Sequence, residues 1–433
     1  MAPTARPTPA ASRSVDAHRD AVRALVAPLP AEDVPLDELA AGEPGRVLAG
    51  DVRAAATVPP FDAAAMDGYA VRLADLPPDG GEVTLPVVGD RRAGDSPGRR
   101  GRNADGAVRI MTGAPVPAWA DAVVPVERTS TGRFVAGGPA TEREVTLARQ
   151  PRDHVRRAGE DVRPGDPLAV AGDVVTPALV SVAASAGLPA LPVRRRPRVA
   201  VLSTGSELVA AGGVAHAGRI PDSNSLLVAA AVRAAGAEAV RTGAVPDDAD
   251  ALRAALDAAV RAGADLVVTT GGVSAGASDV VRAVLESPGP DDPRLTDVDL
   301  AAVDLRPGRP QALARWRGVP WVALPGNPVS AFVSFTLFVR PAIDALAGRD
   351  TTSRTVRGRA LAGFSSPPGR LHAVPVRTAA GADGLVVERA TSRTGGHLTS
   401  ALLGADALAL VPADVTKVEP GDALDVLPLD GVR

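Results

Sequence analysis

Val199-Ala200-Val201-Leu202 runs into STGSEL (203–208), Leu266-Val267-Val268 into TTGGVSAGASD (269–279), and Val322-Ala323-Leu324 into PGNPVSA (325–331). Each is an apolar strand feeding a turn of small residues, with a carboxylate or a helix start beyond it. In an open parallel α/β sheet, loops leaving the carboxyl ends of the strands line the ligand crevice. Glycine-rich backbone there can turn its N–H groups toward an anion, and a helix N-terminus adds partial positive charge. Three such loops in one stretch point to a phosphate-bearing ligand, with acids placed to hold a metal.

Working outward, helical spacing over 225–235 stops at Gly236, and a strand follows over 239–245. A helix over 248–262 has Asp247 or Asp248 as its cap and Gly263 as its stop, before a strand over 265–270 and a short helix over 280–286. Asn327 as N-cap with Pro328 at the first helical position marks another helix start. This alternation predicts a doubly wound α/β domain. Elsewhere the texture changes. A short helical pattern occupies 16–28, and residues 45–145 are dense in Gly and Pro with alternating runs over 82–88 and 133–136, which suits a small β domain. Short strands and a helix near 176–186 follow, and the chain beyond 350 reads as an all-β module ending in VEPGDALDVLPL.

The 433 residues are too many for one ordinary domain. Only 2% are aromatic, so Val, Leu and Ala must build the cores. A net charge of −3 gives no case for nucleic acid or a membrane surface. VRRRPR (193–198) lacks interleaved aromatics and reads as a solvated linker. The absence of cysteine removes disulfides, thiolate metal sites and cysteine nucleophiles. His18, His154, His216, His372 and His397 never fall at metal-binding spacing, so carboxylates would hold any metal, and Mg2+ is the expected ion. Lys417 is the single lysine and has no glycine loop before it, which excludes a Walker A motif. The opening MAPTARPTPAASRS has no apolar core of a signal peptide and reads as a disordered tail. No uninterrupted run has membrane-span length; the longest apolar stretch, near 329–339, is broken by Ser and Thr. A cytoplasmic protein is the expectation.

Each motif also has a plainer reading. Gly271, Gly272 and Gly276 free the backbone to wrap an anion and Ser274 adds a hydroxyl, while Asp279 could simply cap the next helix. Gly272-Val273-Ser274-Ala275-Gly276 also fits the hydrolase G-x-S-x-G pattern, with His372 and His397 downstream, but no helix follows the serine directly as that elbow requires. Glu207, Asp222 and Asp247 could each be a turn or capping residue. Four acids at one sheet edge repel one another unless a cation or a specific role keeps them there. Arg306 and Arg309 in RPGRP suit a tetrahedral dianion, or else a solvated hairpin tip. PPFDAAAMDGYAVR (59–72), RIMTGAPVP (109–117) and RRAGEDVRPGD (156–166) read as turns.

Taken in order along the chain, PPFDAAAMDGYAVR, RIMTGAPVP, GEDVRPGD, STGSEL, DSNS, TTGGVSAGASD, RPGRP and LPGNPVSA resemble the molybdopterin molybdenumtransferase family, bacterial MoeA and the gephyrin E domain. TGGVSAG and LPGNPVSA also resemble the molybdopterin adenylyltransferases, which lack the MDGYA and TGAPVP segments. The resemblance implies a multidomain α/β plus β architecture: a tail over 1–17, a discontinuous linking domain over 18–45 and 140–192, an inserted β domain over 46–139, the α/β domain over 193–347, and a C-terminal β-barrel over 348–433. It implies a homodimer that transfers molybdate to the dithiolene of adenylylated molybdopterin, releasing AMP with Mg2+. The adenylyltransferase and apo-molybdoenzymes are the implied partners.

Carried onto this chain, Asp67, Thr112 and Asp161 would face the site from the partner subunit. Glu207, Asp222, Asp247 and Asp279 would form the acidic edge for Mg2+ and the phosphoanhydride, with Asp279 positioning metal or water. Arg306, Arg309, Pro325 and Pro328 would shape the molybdate pocket with Ser400. The chain departs from the family at Ala63 and Ala64, where asparagine and serine are usual, at Arg306 and Arg309, usually lysines, at Pro221, often tyrosine, and at Ala277, normally larger or acidic. A carrier or scaffold that binds molybdopterin without turnover is the alternative from another class.

Overall fold

The computed structural model describes residues 12–42, 45–96, 106–137, 140–213, 218–274, 279–286, 293–350, 355–382, 384–393 and 395–429. Its largest sheet has seven strands in the order Ser12–Arg13, Leu295–Val303, Pro310–Trp316, Val319–Leu324, Leu266–Thr270, Arg198–Thr204 and Glu238–Val245. The last four run parallel, while Pro310–Trp316 is antiparallel to both of its neighbours. Alternate residues of a strand face opposite sides, and both sides are covered. Val199 and Val201 share one core with Val228 and Val232 of the helix Asn224–Ala234. Ala200 and Leu202 share the other with Leu252 and Leu256 of the helix Ala249–Arg261. That second helix buries Leu252, Leu256 and Ala259 at i, i+4 and i+7, each leucine contributing about 2 kcal/mol by leaving water. The domain is doubly wound, as the alternation of strand and helix predicts.

The helix after Leu324 runs through Pro328–Ser334, a π-helical turn Phe335–Val339, and Arg340–Leu346. By length and composition it could cross a membrane, but 67% of its apolar window is buried, and Val333, Phe338 and Ile343 pack in the first core. It is a core helix of this domain.

Order begins before residue 17. Ser12–Arg13 pairs with Ala302–Val303 at the sheet edge, and the helix Val15–Ala24 is capped by the Ser14 hydroxyl. Val15 and Val22 of that helix belong to the α/β core and not to the linking domain, because its apolar face packs beside Phe338 and Leu346. The linking domain pairs Ala31–Pro35 with Ala190–Arg194 and Val52–Arg53 with Pro167–Ala169, over a core of Val34, Leu48, Leu191 and Val193. The insert is a five-stranded sheet that includes Glu144–Ala148, so it runs past residue 139. The alternating run 133–136 is not a strand there. Beyond 355, Val356–Ala360, Leu371–Gly381, Gly384–Arg389, Ala407–Val411 and Ala423–Pro428 close into a five-stranded barrel.

The basic run 193–198 is docked, not solvated. Arg195 grips Asp265 with two hydrogen bonds of 2.5 and 3.0 Å, and Arg198 pairs with Glu238 at 3.0 Å. Arg195 fastens the linking domain to the α/β domain, while Arg198 ties two neighbouring strands within the α/β sheet.

Candidate active site

Four parallel strands end at one edge in register: Thr270 lies opposite Leu324 and Ser203, and Thr204 lies opposite Val245. The chain leaves the Arg198–Thr204 strand for Glu238–Val245 on one side and returns to Leu266–Thr270 on the other. That reversal is a topological switch point, where α/β sheets bind ligands. Glu207, Asp247 and the Gly271-Gly272 turn follow three neighbouring strands, so the fold brings them to one edge.

Small residues let these loops meet. A Cβ on Gly271 (φ +96°) would stand 2.6 Å from the Thr204 carbonyl oxygen, and one on Gly272 (φ +64°) would stand 2.9 Å from the Thr204 hydroxyl. A Cβ on Gly326 would come within 3.3 Å of Gly271 Cα, so the PGNP turn lies directly on the glycine loop. Asn224 Nδ2 donates to the Gly326 carbonyl at 2.6 Å, tying the DSNS helix start to the same turn, and its Oδ1 is buried without a partner. Pro325 is buried, Asn327 is the N-cap residue, and Pro328 opens the helix.

The acids divide by role. Asp247 is exposed; its Oδ2 accepts from Ser206 N at 2.9 Å and its own N–H donates to Ser206 Oγ at 2.9 Å. Asp248, not Asp247, caps the following helix, accepting from Ala251 N at 2.7 Å. Glu207 is exposed and its carboxylate lies over Gly205, where a Cβ would fall 2.7 Å from Oε2. Asp222 is buried, and its two oxygens accept from Ser225 N at 3.0 Å and Ser225 Oγ at 2.5 Å. That is the capping role, and it points Asp222 away from direct ligand contact. Asp279 is half-buried at the start of the Val280–Glu286 helix, its carbonyl accepting from Ala283 N.

Ser274 is exposed, and the residues after it that a hydrolase elbow would need, 275–278, lie outside the described residues. Gly276 and Ala277 lie outside the described residues. Among the described residues no three His, Cys, Asp or Glu stand close enough to form a metal cage. Mg2+ usually keeps several waters and takes one or two carboxylates together with substrate phosphates. Separate carboxylates on adjacent strand ends fit that manner of binding and not a closed cage.

In the insert, Thr112 donates to Asp67 Oδ1 from both its N–H (2.7 Å) and its hydroxyl (2.8 Å), so these two are held as a unit. Asp161 is exposed on a separate turn. Ala63 and Ala64 are buried strand residues paired with Val155–Arg156, and Ala64 packs with Ala70, Val108 and Ile110. Methyl groups there meet the needs of a core. Pro221 is exposed beside Asp222.

Arg306 and Arg309 are both exposed, but they sit differently. Leu305–Arg306 joins the barrel as an added strand, with Arg306 opposite His372. Arg306 lines a cleft of about 310 Å³ between the α/β domain and the barrel, together with His372, Arg389 and Arg393. His372 is pushed down to about 4, first by burial and then by the Arg306 and Arg389 guanidiniums. Ser400 is exposed in the short helix Thr399–Leu402 and is not among the residues of that cleft, although Ala401 is. Arg389 and Arg393 escape a reading of the sequence, because only the barrel register brings them to Arg306.

The chain matches the family models for the MoeA N-terminal region (domain I and II) over residues 13–187, the probable molybdopterin binding domain over 200–345, and the MoeA C-terminal region (domain IV) over 357–429. It is 43% identical over 363 residues to molybdopterin molybdenumtransferase 2 of Mycobacterium tuberculosis, covering 83% of this chain and 86% of that one. It is 38% identical over 304 residues to molybdopterin molybdenumtransferase of Haemophilus influenzae, covering 70% and 71%. Among solved structures, a molybdopterin biosynthesis MoeA protein from Pyrococcus horikoshii superposes with a TM-score of 0.78 at 28% identity, covering 98% of this chain and 100% of the other.

Proposed function

Because this chain belongs to the MoeA family of molybdopterin molybdenumtransferases, we propose that it transfers molybdate to the dithiolene of adenylylated molybdopterin, with Mg2+-dependent release of AMP. One observation carries this reading: glycine-rich backbone and separate carboxylates share one sheet edge at the switch point. A nucleotide with a phosphoanhydride needs that combination, since backbone N–H groups hold phosphate oxygens and carboxylates hold its cation.

In this reading Gly271, Gly272 and Ser274 cradle the phosphates. Asp247, Asp279 and Glu207 hold Mg2+ with the substrate, and the ion supplies charge neutralisation for the anhydride. Asp279 orients the attacking group, and Asp222 keeps the DSNS helix start in place behind the site. Asp67, Thr112 and Asp161 reach the crevice of the second protomer in a homodimer, with the Thr112–Asp67 pair fixing the carboxylate. Arg306 and Arg309, with Pro325, Pro328 and Ser400, receive molybdate as a tetrahedral dianion that guanidinium forks can grip. The enzyme works in the cytoplasm.

The experiment is AMP release from adenylylated molybdopterin with Mg2+, in the presence and absence of molybdate. Release that requires molybdate and yields cofactor able to activate an apo-molybdoenzyme supports the transferase. Tight binding of the pterin with no release would make the chain a carrier.

A further inference from the structure

We propose that Arg389 is a second anion-binding residue for the molybdate site, acting with Arg306 across the cleft between the α/β domain and the barrel. The inference rests on the transferase reading, because it assigns the anion of that reaction to this cleft.

The geometry begins with the barrel strands. Leu305–Arg306 pairs with Leu371–His372 at one end of the strand Leu371–Gly381, and Arg389 lies opposite Val376 on the next strand of the barrel. Arg306, His372 and Arg389 therefore stand on three consecutive strands and open into one cleft of about 310 Å³. Its walls include Arg306, Arg389 and Arg393 but no carboxylate. Among the described residues none of these three arginines forms an ion pair; Arg389 makes long contacts from Nη2 to the Ser392 and Arg393 carbonyls, at 3.4 and 3.3 Å, and its guanidinium lies over the Phe364 ring at 5.7 Å, none of which neutralises its charge. Like charges gathered in a cleft without a counter-ion mark a place for an external anion.

His372 agrees with this assignment. It stands in register with Arg306, its Nδ1 is 3.2 Å from Ser366 Oγ, and it feels both Arg306 and Arg389. Kept neutral, it adds a hydrogen-bonding ring without adding a further charge to the arginines of the cleft. The cleft also adjoins the PGNP helix start, since Val329 lines it and Val329 N–H donates to the Gly396 carbonyl. An oxyanion held there lies against the turn that packs on Gly271, beside the crevice for the pterin nucleotide.

The test is equilibrium binding of sodium molybdate to the full chain by calorimetry, for the parent, Arg306→Gln, Arg389→Gln, Arg389→Lys and the barrel-surface control Arg357→Gln. The expected result is that Arg306→Gln and Arg389→Gln each weaken molybdate binding by about tenfold or more. Arg389→Lys keeps the charge and loses less, and Arg357→Gln binds like the parent. In turnover, Arg389→Gln raises the KM for molybdate with kcat recovered at saturation, a pattern that a general loss of folding does not give. Parent-like binding by Arg389→Gln alongside weakened Arg306→Gln overturns the role of Arg389 and leaves the oxyanion reading standing. Parent-like binding by both variants, in a protein that binds molybdate, overturns the placement of the anion in this cleft altogether.

Discussion

Ser206 and Asp247 exchange two hydrogen bonds, Ser206 N–H to Asp247 Oδ2 and Asp247 N–H to Ser206 Oγ, each 2.9 Å. The pair staples the loops that follow two neighbouring parallel strands, and it leaves Asp247 exposed with its carboxylate oriented. Asp247→Ala should therefore cost only about 1 kcal/mol of stability, while AMP release falls by about 100-fold if the carboxylate acts on the substrate. Ser206→Ala keeps the N–H that orients the carboxylate, so its loss of turnover should stay under about tenfold. Thermal melts and AMP release on both variants separate the effects. Equal losses would shift the function from the carboxylate to the hydroxyl.

Gly271 tests the packing of the loops. With φ +96° and only 2.6 Å between a built Cβ and the Thr204 carbonyl oxygen, Gly271→Ala carries both backbone strain and a clash. Gly212, at φ +84° with nothing within 4 Å, isolates the strain. Gly212→Ala should cost roughly 1 kcal/mol and leave turnover intact. Gly271→Ala should cost at least about 2 kcal/mol and abolish nucleotide binding. Urea unfolding midpoints decide; matching shifts would mean the Thr204 contact is unimportant.

If Asp67 serves the crevice of the second protomer, two defective chains can repair each other. Asp67→Asn and Asp279→Asn should each be inactive alone. In an equal mixture of reassembled dimers, half are mixed and each mixed dimer has one intact site, so activity returns to about a quarter of the parent. No recovery, with exchange verified by a mass tag, would place both residues in one protomer's site.

Much of this was legible in the sequence because it rests on local chemistry. The runs of strand into glycine turn at 199–205 and 266–272 are set by apolar residues and by glycines needing positive φ, and both are visible residue by residue. Asp222 was harder, since a cap and a ligand look alike until Ser225 is seen to occupy both oxygens. The run VRRRPR looked solvated because its partners Asp265 and Glu238 are remote in sequence. Arg389 gave no signal, as its neighbours are fixed by the barrel register with Leu371–Gly381. Ala63 and Ala64 resemble lost functional groups until their burial beneath the insert is known.

His18 makes acid stability a test of the packing at the N-terminal helix. Its ring is fully buried, meets Phe338 edge-on at 4.6 Å, and leaves Nε2 without a partner. Burial first and the Arg13 guanidinium second lower its pKa to about 4 from 6.5, with Asp299 opposing. The unfolded chain therefore takes up a proton as pH falls below 6.5, and the folded chain resists until about 4. Stability is highest above that window and declines through it, by roughly 1.4 kcal/mol per pH unit and on the order of 3 kcal/mol in total. His372, also lowered to about 4 but partly exposed, adds a smaller share of the same sign. His18→Leu fills the same apolar space and removes the titration, so its urea midpoint should fall much less than the parent's between pH 7 and 4.5. Because the comparison is of slopes, any stabilisation by leucine itself does not affect it. Identical slopes would mean that His18 takes up its proton as readily in the folded chain as in the unfolded one, so that burial against Phe338 does not lower its pKa.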